Sequence, residues 1–344
     1  MRLKPGASAP EDFTLDALPP SNDGACTTKC HSISADGSTM VSAGASVVTG
    51  AFGGSYNLKS NTPAYSFTGD SLWQWALPGI SPDGKYVVVN AVAAQFGAPL
   101  SKGMFNTSDA SPVSMSGLPD EDMFMPAFSP DGTSIVFVTG DLGPLPPAIP
   151  NATFKPGVLR ALDFDKDKVP MISGERDIVQ PGDDPSNQVI AWPTVSPDGQ
   201  WVVYSRLLWR DPTLNNNLSS LTGADVQAAG DFYMAGLHGQ AGEVRLSRLN
   251  GDNYPFLAGD RDLHQNFIPS LAPAEAGGYF WVVFQSRRTY GSVLKGDPKT
   301  VQQLWIAAID ADPKPGTDPS HPPFRVPGQA MDTINQRGVF AMDP

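Results

Sequence analysis

The chain has 344 residues, with 23 Lys+Arg against 35 Asp+Glu for a formal net charge of −12 at pH 7, and 40% of it is hydrophobic. Without a basic cluster to offset it, that balance argues against nucleic acid as a partner. No apolar run approaches the roughly 18 residues of a membrane span, and MRLKPGASAPEDF at 1–13 lacks the apolar core of a signal peptide. These features describe a soluble body that is either cytosolic or has an export signal trimmed or lying upstream. The 34 Gly and 34 Pro exceed the usual roughly 7% and 5%. They fall between short apolar runs and read as turn punctuation.

In chain order, MRLKPGAS (1–8) reads as a short outer strand. A repeated hairpin then begins: HSISADGSTMVSAG (31–44), PGISPDGKYVVVNA (78–91), PAFSPDGTSIVFVTG (126–140), PTVSPDGQWVVYSR (193–206), PSLAPAEAGGYFWVVFQS (269–286) and, weakly, MDTINQRGVFAMD (331–343). Asp36, Asp83, Asp131 and Asp198 mark the turns at spacings of 47, 48 and 67 residues, close to the length of one propeller blade with inserted loops. In the Ser-Pro-Asp-Gly turn Pro presets the bend, Gly takes the position with φ > 0 and Asp bonds local backbone N–H groups. A strand rich in β-branched and aromatic residues follows. In the fifth copy APAEAGG replaces the tight turn, with the glycines at its end.

Between the hairpins lie GSYNLKS (54–60), KGMFNTSD (102–109), VLRALDFD (158–165), EVRLSRLNGD (243–252) and QLWIAAIDAD (303–312), each read as an outer strand. The first outer strand and the last hairpin are orphans at the two ends. Pairing them predicts one domain over 1–344, an all-β, six-bladed β-propeller closed by its N- and C-terminal strands, with no exposed sheet edge. The repeats fall near 31–60, 78–109, 126–165, 193–252, 269–312 and 331–344, and 1–8 completes the last blade. The stretch 207–242 reads as loop, and two β-sandwiches would not explain the recurrent turn.

The SPDG repeats resemble the TolB-like, WD40-like β-propeller family of the PD40 type across nearly the whole chain. More narrowly, CHSISADGSTMVSAG, GGYFWVVFQSRRTYG and PGQAMDTINQRGVFAMDP resemble bacterial exported, lipoprotein-like propellers that carry Cys-x-x-Cys-His before the first turn. That resemblance implies an exported protein (periplasmic, cell-surface or extracellular), and a shortened member or a piece of a longer chain. Here the segment is Cys-x-x-x-Cys-His, with three residues between Cys26 and Cys30.

A Cys-x-x-Cys-His segment attaches c-type haem, the two thiols bonding the porphyrin edge and the histidine reaching the iron. Cys26, Cys30 and His31 therefore read as a haem anchor, as a small disulfide loop, or as free thiols. Zinc lacks a fourth ligand. His31 aligns with Pro78, Pro126, Pro193 and Pro269, a register at one mouth of a propeller channel. With haem bound there, His31 would be the proximal metal ligand and His264, Met123 or Met125 the distal one, with Trp73, Trp75 and Trp192 nearby. The plainer reading of those Met and Trp residues is inter-blade packing.

Other constellations read as structural. Asp163, Asp165 and Asp167 start like a calcium loop but lack its glycine and closing glutamate. Ser320, His321 and Asp318 are too close in sequence for a catalytic triad. Arg287 and Arg288 would take an anion or pair with Asp260 or Asp262, and His238 sits in a Gly-rich loop. The leading function is thus a non-enzymatic propeller binding a protein or small molecule, with or without one haem. The alternative is a propeller hydrolase or lyase with a carboxylate site at the channel mouth.

Overall fold

The computed structural model describes residues 30–46, 50–69, 77–89, 103–140, 157–165, 171–182, 188–209, 228–252, 263–288, 301–330 and 334–342. They form five antiparallel sheets, each built from one contiguous stretch. The first blade is β1 (Cys30–Ile33), β2 (Thr39–Ser46), β3 (Gly50–Asn57) and β4 (Thr62–Gly69), in that order from the inside out. The second is β5 (Gly79–Ile80), β6 (Tyr86–Val89) and β7 (Gly103–Asn106). The third is β8 (Asp122–Phe128), β9 (Ser134–Gly140), β10 (Leu159–Asp165) and β11 (Met171–Val179). The fourth is β12 (Gln188–Val195), β13 (Trp201–Trp209), β14 (Ala228–Gly236) and β15 (Val244–Arg245), followed by one helical turn at Ser247–Asn250. The fifth is β16 (Asn266–Leu271), β17 (Tyr279–Ser286), β18 (Gln303–Asp310) and β19 (Phe324–Arg325).

The innermost strands β1, β5, β8, β12 and β16 neighbour one another in that order and surround a central channel, so the fold is an all-β propeller. The apolar core lies between blades: Val88, Met104 and Met123 pack with Ile135 and Phe137 between the second and third, while Phe232 and Met234 meet Phe280 and Phe284 between the fourth and fifth.

The blade count corrects the sequence expectation of six. The sixth repeat supplies only an extended segment, 334–342, with no ladder partner among the described residues. Counting turns overcounted blades, because a blade needs strands that pair. The segment nonetheless lies where a closing element belongs, between blades five and one. Asn335 N–H donates to the Gln302 carbonyl at 2.9 Å, Arg337 N–H to Gln285 Oε1 at 2.9 Å, and Arg337 Nη2 to Ser32 Oγ of β1 at 3.4 Å. Residues 1–8, expected to complete the last blade, lie outside the described residues.

The outer strands also shift by one place. Segments 54–60, 102–109, 158–165 and 303–312 are third strands, and β4, β11, β15 and β19 lie beyond three of these and beyond β14. The third strand of blade four, β14, comes from within 207–242, which reads as loop in the sequence; 243–252 is a two-residue strand and the helical turn.

The SPDG turn depends on its serine. Gly37, Gly84, Gly132 and Gly199 have φ of 68–74°, and each N–H donates to the Ser carbonyl three residues back, at 2.9 Å. The buried hydroxyls of Ser34, Ser81, Ser129 and Ser196 each donate to the turn Asp and accept the N–H of the residue five ahead, where the next strand begins. Ser196→Ala therefore leaves a buried strand N–H and a carboxylate without that hydroxyl. A loss of about 1–3 kcal/mol in urea-unfolding stability is expected, and an unchanged midpoint would remove the hydroxyl from this role.

Candidate functional site

Three inner strands carry the same irregularity. The ladder skips between Phe124 and Ala127, between Ala191 and Thr194, and between Phe267 and Ser270, which brackets Met125-Pro126, Trp192-Pro193 and Ile268-Pro269. Proline has no N–H to give the ladder, so the strand bulges there. Met125, Trp192 and Ile268 take left-handed φ of 52°, 55° and 51°, and Leu77, before Pro78, takes 50°. A non-glycine residue in this region costs about 1 kcal/mol or more and persists only where its surroundings enforce it. All four belong to one buried cluster and line the same central cavity of about 150 Å³.

Arg337 extends this ring. It stands four residues before Ala341, as Trp192 stands four before Ser196, and its φ is 51°. The 334–342 segment thus brings a charged residue to the level where the blades present Leu77, Met125, Trp192 and Ile268. Its guanidinium carbon lies 5.1 Å from the Trp192 ring centroid. Val339 and Phe340 of the same segment also line the cavity, and among its described lining residues only Arg337 is charged. By the same count Cys30 holds the corresponding place in β1.

A second opening lies at the turn end, lined by Asp36, Asp83, Asp131 and Phe164 among others. Burial pushes the Asp36 carboxyl up, but the Ser34 hydroxyl and the Ser38 backbone and hydroxyl outweigh this and hold it below the usual carboxylate range. Asp83 is likewise lowered, burial being outweighed by Ser81 and Lys85.

The haem candidates are described only in part. Cys26, Trp73 and Trp75 lie outside the described residues, as does the side chain of Cys30. His31 is half-buried on β1, opposite Ser42. Met123 is 1% exposed between blades two and three, and the Met125 sulfur accepts the Trp192 N–H at 3.2 Å. His264 Nδ1 lies 2.7 Å from Asp231 Oδ2, between blades four and five. Met123, Met125 and His264 thus have different immediate neighbours. Among the described residues no cluster of three or more His, Cys, Asp or Glu side chains is placed to hold a metal.

Asp231 was invisible in the sequence, inside a stretch read as loop. It is 3% exposed and accepts from His264 and from Arg245, whose Nη2 is 2.8 Å away. Burial raises the Asp231 pKa, while the His264 hydrogen bond and the Arg245 charge overcome burial and leave it lowered. The neighbouring Arg287 and Arg288 are buried and hold backbone: Arg287 Nη2 donates to the Ala228 carbonyl at 2.5 Å, and Arg288 Nη2 to the Leu249 carbonyl at 3.0 Å. Asp260 and Asp262, their expected partners, lie outside the described residues.

The remaining constellations are ordinary contacts. Asp163 accepts from Arg176 at 2.6 Å, His321 Nε2 meets Asp310 at 2.8 Å, and Asp318 accepts from the Ser320 N–H and hydroxyl. His238 Nε2 is 3.2 Å from the Gly199 carbonyl.

A lowered carboxyl pKa contributes stability that is present above the unfolded value and is lost as pH falls through the folded one. Stability should therefore drop below about pH 4, where unfolded aspartates take up protons. Asp231→Asn should cost about 2 kcal/mol at pH 7, less than a fully buried pair because His264 and Arg245 reach solvent. It should also flatten the acid limb of melting temperature against pH. A variant as acid-sensitive as the parent would contradict this assignment.

No family model and no curated protein matches the chain. Among solved structures it is similar to a putative TolB from Agrobacterium tumefaciens, at 15% identity over 86% of this chain and 79% of that one, TM-score 0.45. It is also similar to hydrazine synthase from Kuenenia stuttgartiensis, at 14% identity over 83% of this chain and 65% of that one, TM-score 0.43. The β-propeller domain of the trilobed protease from Pyrococcus furiosus is a third, at 12% identity over 81% and 69%, TM-score 0.37. The Kuenenia chain is thus spanned over less than two thirds of its length. No activity passes from these likenesses to this chain, whose propeller fold is read from its own sheets.

Proposed function

We propose that this protein is a non-catalytic binding propeller that takes a small molecule into its central channel. One observation carries the reading: inner strands from four blades and the 334–342 segment each turn a left-handed residue onto the same cavity. Strained backbone repeated around one void, whose lining mixes polar and apolar surface, is the arrangement of a preformed ligand site.

The enzyme reading has less support. Carboxylates do converge at the turn-end opening, but the Oδ1 atoms of Asp36, Asp83 and Asp131 each accept bonds from their own turn. Asp36 and Asp83 are lowered in pKa, whereas a general acid working near neutral pH needs the opposite shift.

Ligand-observed NMR against a panel of anionic, cationic and neutral fragments tests the proposal. Ala127, a channel-lining residue of β8, is the site for blocking. Ala127→Phe should abolish binding of any hit while the fold, followed by circular dichroism, persists. Absence of hits, or hits indifferent to Ala127→Phe, would overturn the channel as the binding site.

A further inference from the structure

We propose a second binding site, on the side of blade five that meets residues 334–342, for a small organic cation with a methylated ammonium group. Phe280, Val282 and Phe284 of β17 pack against blade four, so by strand alternation Tyr279, Trp281, Val283 and Gln285 point the other way. There the 334–342 segment covers one half of the face. Gln285 Oε1 takes the Arg337 N–H at 2.9 Å, and Gly338 lies so close that an added Cβ would stand 2.8 Å from Val283 Cγ2. The other half, with Tyr279 and Trp281, stays partly exposed.

Three rings meet in that half. The Tyr279 and Trp281 ring centroids are 6.1 Å apart with planes at 67°, and those of Tyr279 and His321 are 5.3 Å apart at 88°. Trp281 stands opposite Ala308 of β18, and on the other side of Ala308 the His321 N–H donates to its carbonyl at 2.9 Å. A single methyl group thus floors the space between an indole and an imidazole, and the Tyr279 ring contacts both. The indole is held in place, because its Nε1–H donates to the Ala276 carbonyl at 3.0 Å. What it offers a ligand is ring surface. His321 is fixed in turn by Asp310, whose Oδ1 lies 2.8 Å from Nε2.

These walls select the ligand. Aromatic rings carry a negative face, and a cation within about 6 Å of a ring centroid is attracted to it. A cation seated in the angle between Tyr279 and Trp281 reaches both rings. Charge agrees: the half-exposed Asp310 carboxylate stands in the same corner, Glu275 lies in the turn before β17, and the whole chain carries −12. The lysine of the adjoining loop, Lys314, is paired with Asp312. A primary ammonium would have to surrender a tight hydration shell that one carboxylate does not replace. Methyl groups instead spread the charge over an apolar surface that rings can hold. None of these residues lines the central channel or its turn-end opening, so this site does not rest on the channel reading.

NMR titration of the indole N–H signals tests the proposal with choline and its uncharged carbon isostere, tert-butylethanol. Choline should shift the Trp281 signal, identified by its loss in Trp281→Phe. It should bind roughly 3- to 30-fold more tightly than the isostere, the range of cation–π attraction from exposed to desolvated sites. Saturation transfer to the choline methyl groups should largely vanish in Trp281→Leu and be partly kept in Trp281→Phe. Equal affinity of the two probes, or a Trp281 signal that choline does not move, overturns the proposal. A trimethyl-lysine peptide bound far more tightly than choline would overturn the free small cation as the ligand. The comparison of probes on the unaltered protein decides the matter even where a variant folds poorly. A hit from the channel screen counts for the channel only where it leaves the Trp281 signal unmoved, so the two readings fail separately.

Discussion

Proline in the innermost strands is the constraint on which the channel depends. Pro126, Pro193 and Pro269 each lack an N–H to give to a ladder. The ladder skips, and the preceding residue turns left-handed. Met125, Trp192 and Ile268 all line the central cavity and belong to one buried cluster. Blade-to-blade contacts then hold the bulges in place: the Met125 sulfur accepts the Trp192 N–H, and Thr194 Oγ1 accepts the Leu271 N–H. The bore is thus shaped by backbone defects that neighbouring blades enforce on one another.

The serine-aspartate turns do the complementary work at one end of the bore. Each ties an inner strand to its return strand through a buried hydroxyl, and adjacent turns also meet: Asp36 N–H donates to the Pro82 carbonyl at 3.1 Å. Their carboxylates are consumed in this framework, which explains why a ring of aspartates at an opening need not be catalytic. Chemistry and architecture compete for the same lone pairs, and in Asp36 and Asp83 architecture holds them.

The turns and their return strands were legible because Ser-Pro-Asp-Gly is a local signal, closed within six residues. Blade four was harder. Its third strand lies in ADVQAAGDFYMAG, after a long insertion, and GDFYMAG is buried on nearly every residue, so no alternation announces it. Asp231 was hidden with it, since its partners Arg245 and His264 come from segments that only the folded ring brings together. The blade number failed for a related reason: a turn-like repeat at 331–343 marks a register, whereas a blade is made by pairing, which lies beyond local sequence. Arg337 was readable in principle, four residues before Ala341 as Trp192 is before Ser196. Its meaning depended on knowing that this register faces the axis. Of the residues that the sequence suggested as haem partners, Met123 is buried between blades and His264 is bonded to Asp231.

The 334–342 segment also bears on mechanics. It joins blade five to blade one through a few hydrogen bonds, and no strand ladder crosses that junction among the described residues. Elsewhere around the circumference, broad apolar faces weld one sheet to the next. Local opening in proteins starts where the fewest apolar contacts must be broken, so how firmly residues 334–342 seat against β1 and blade five bears on how readily the ring opens.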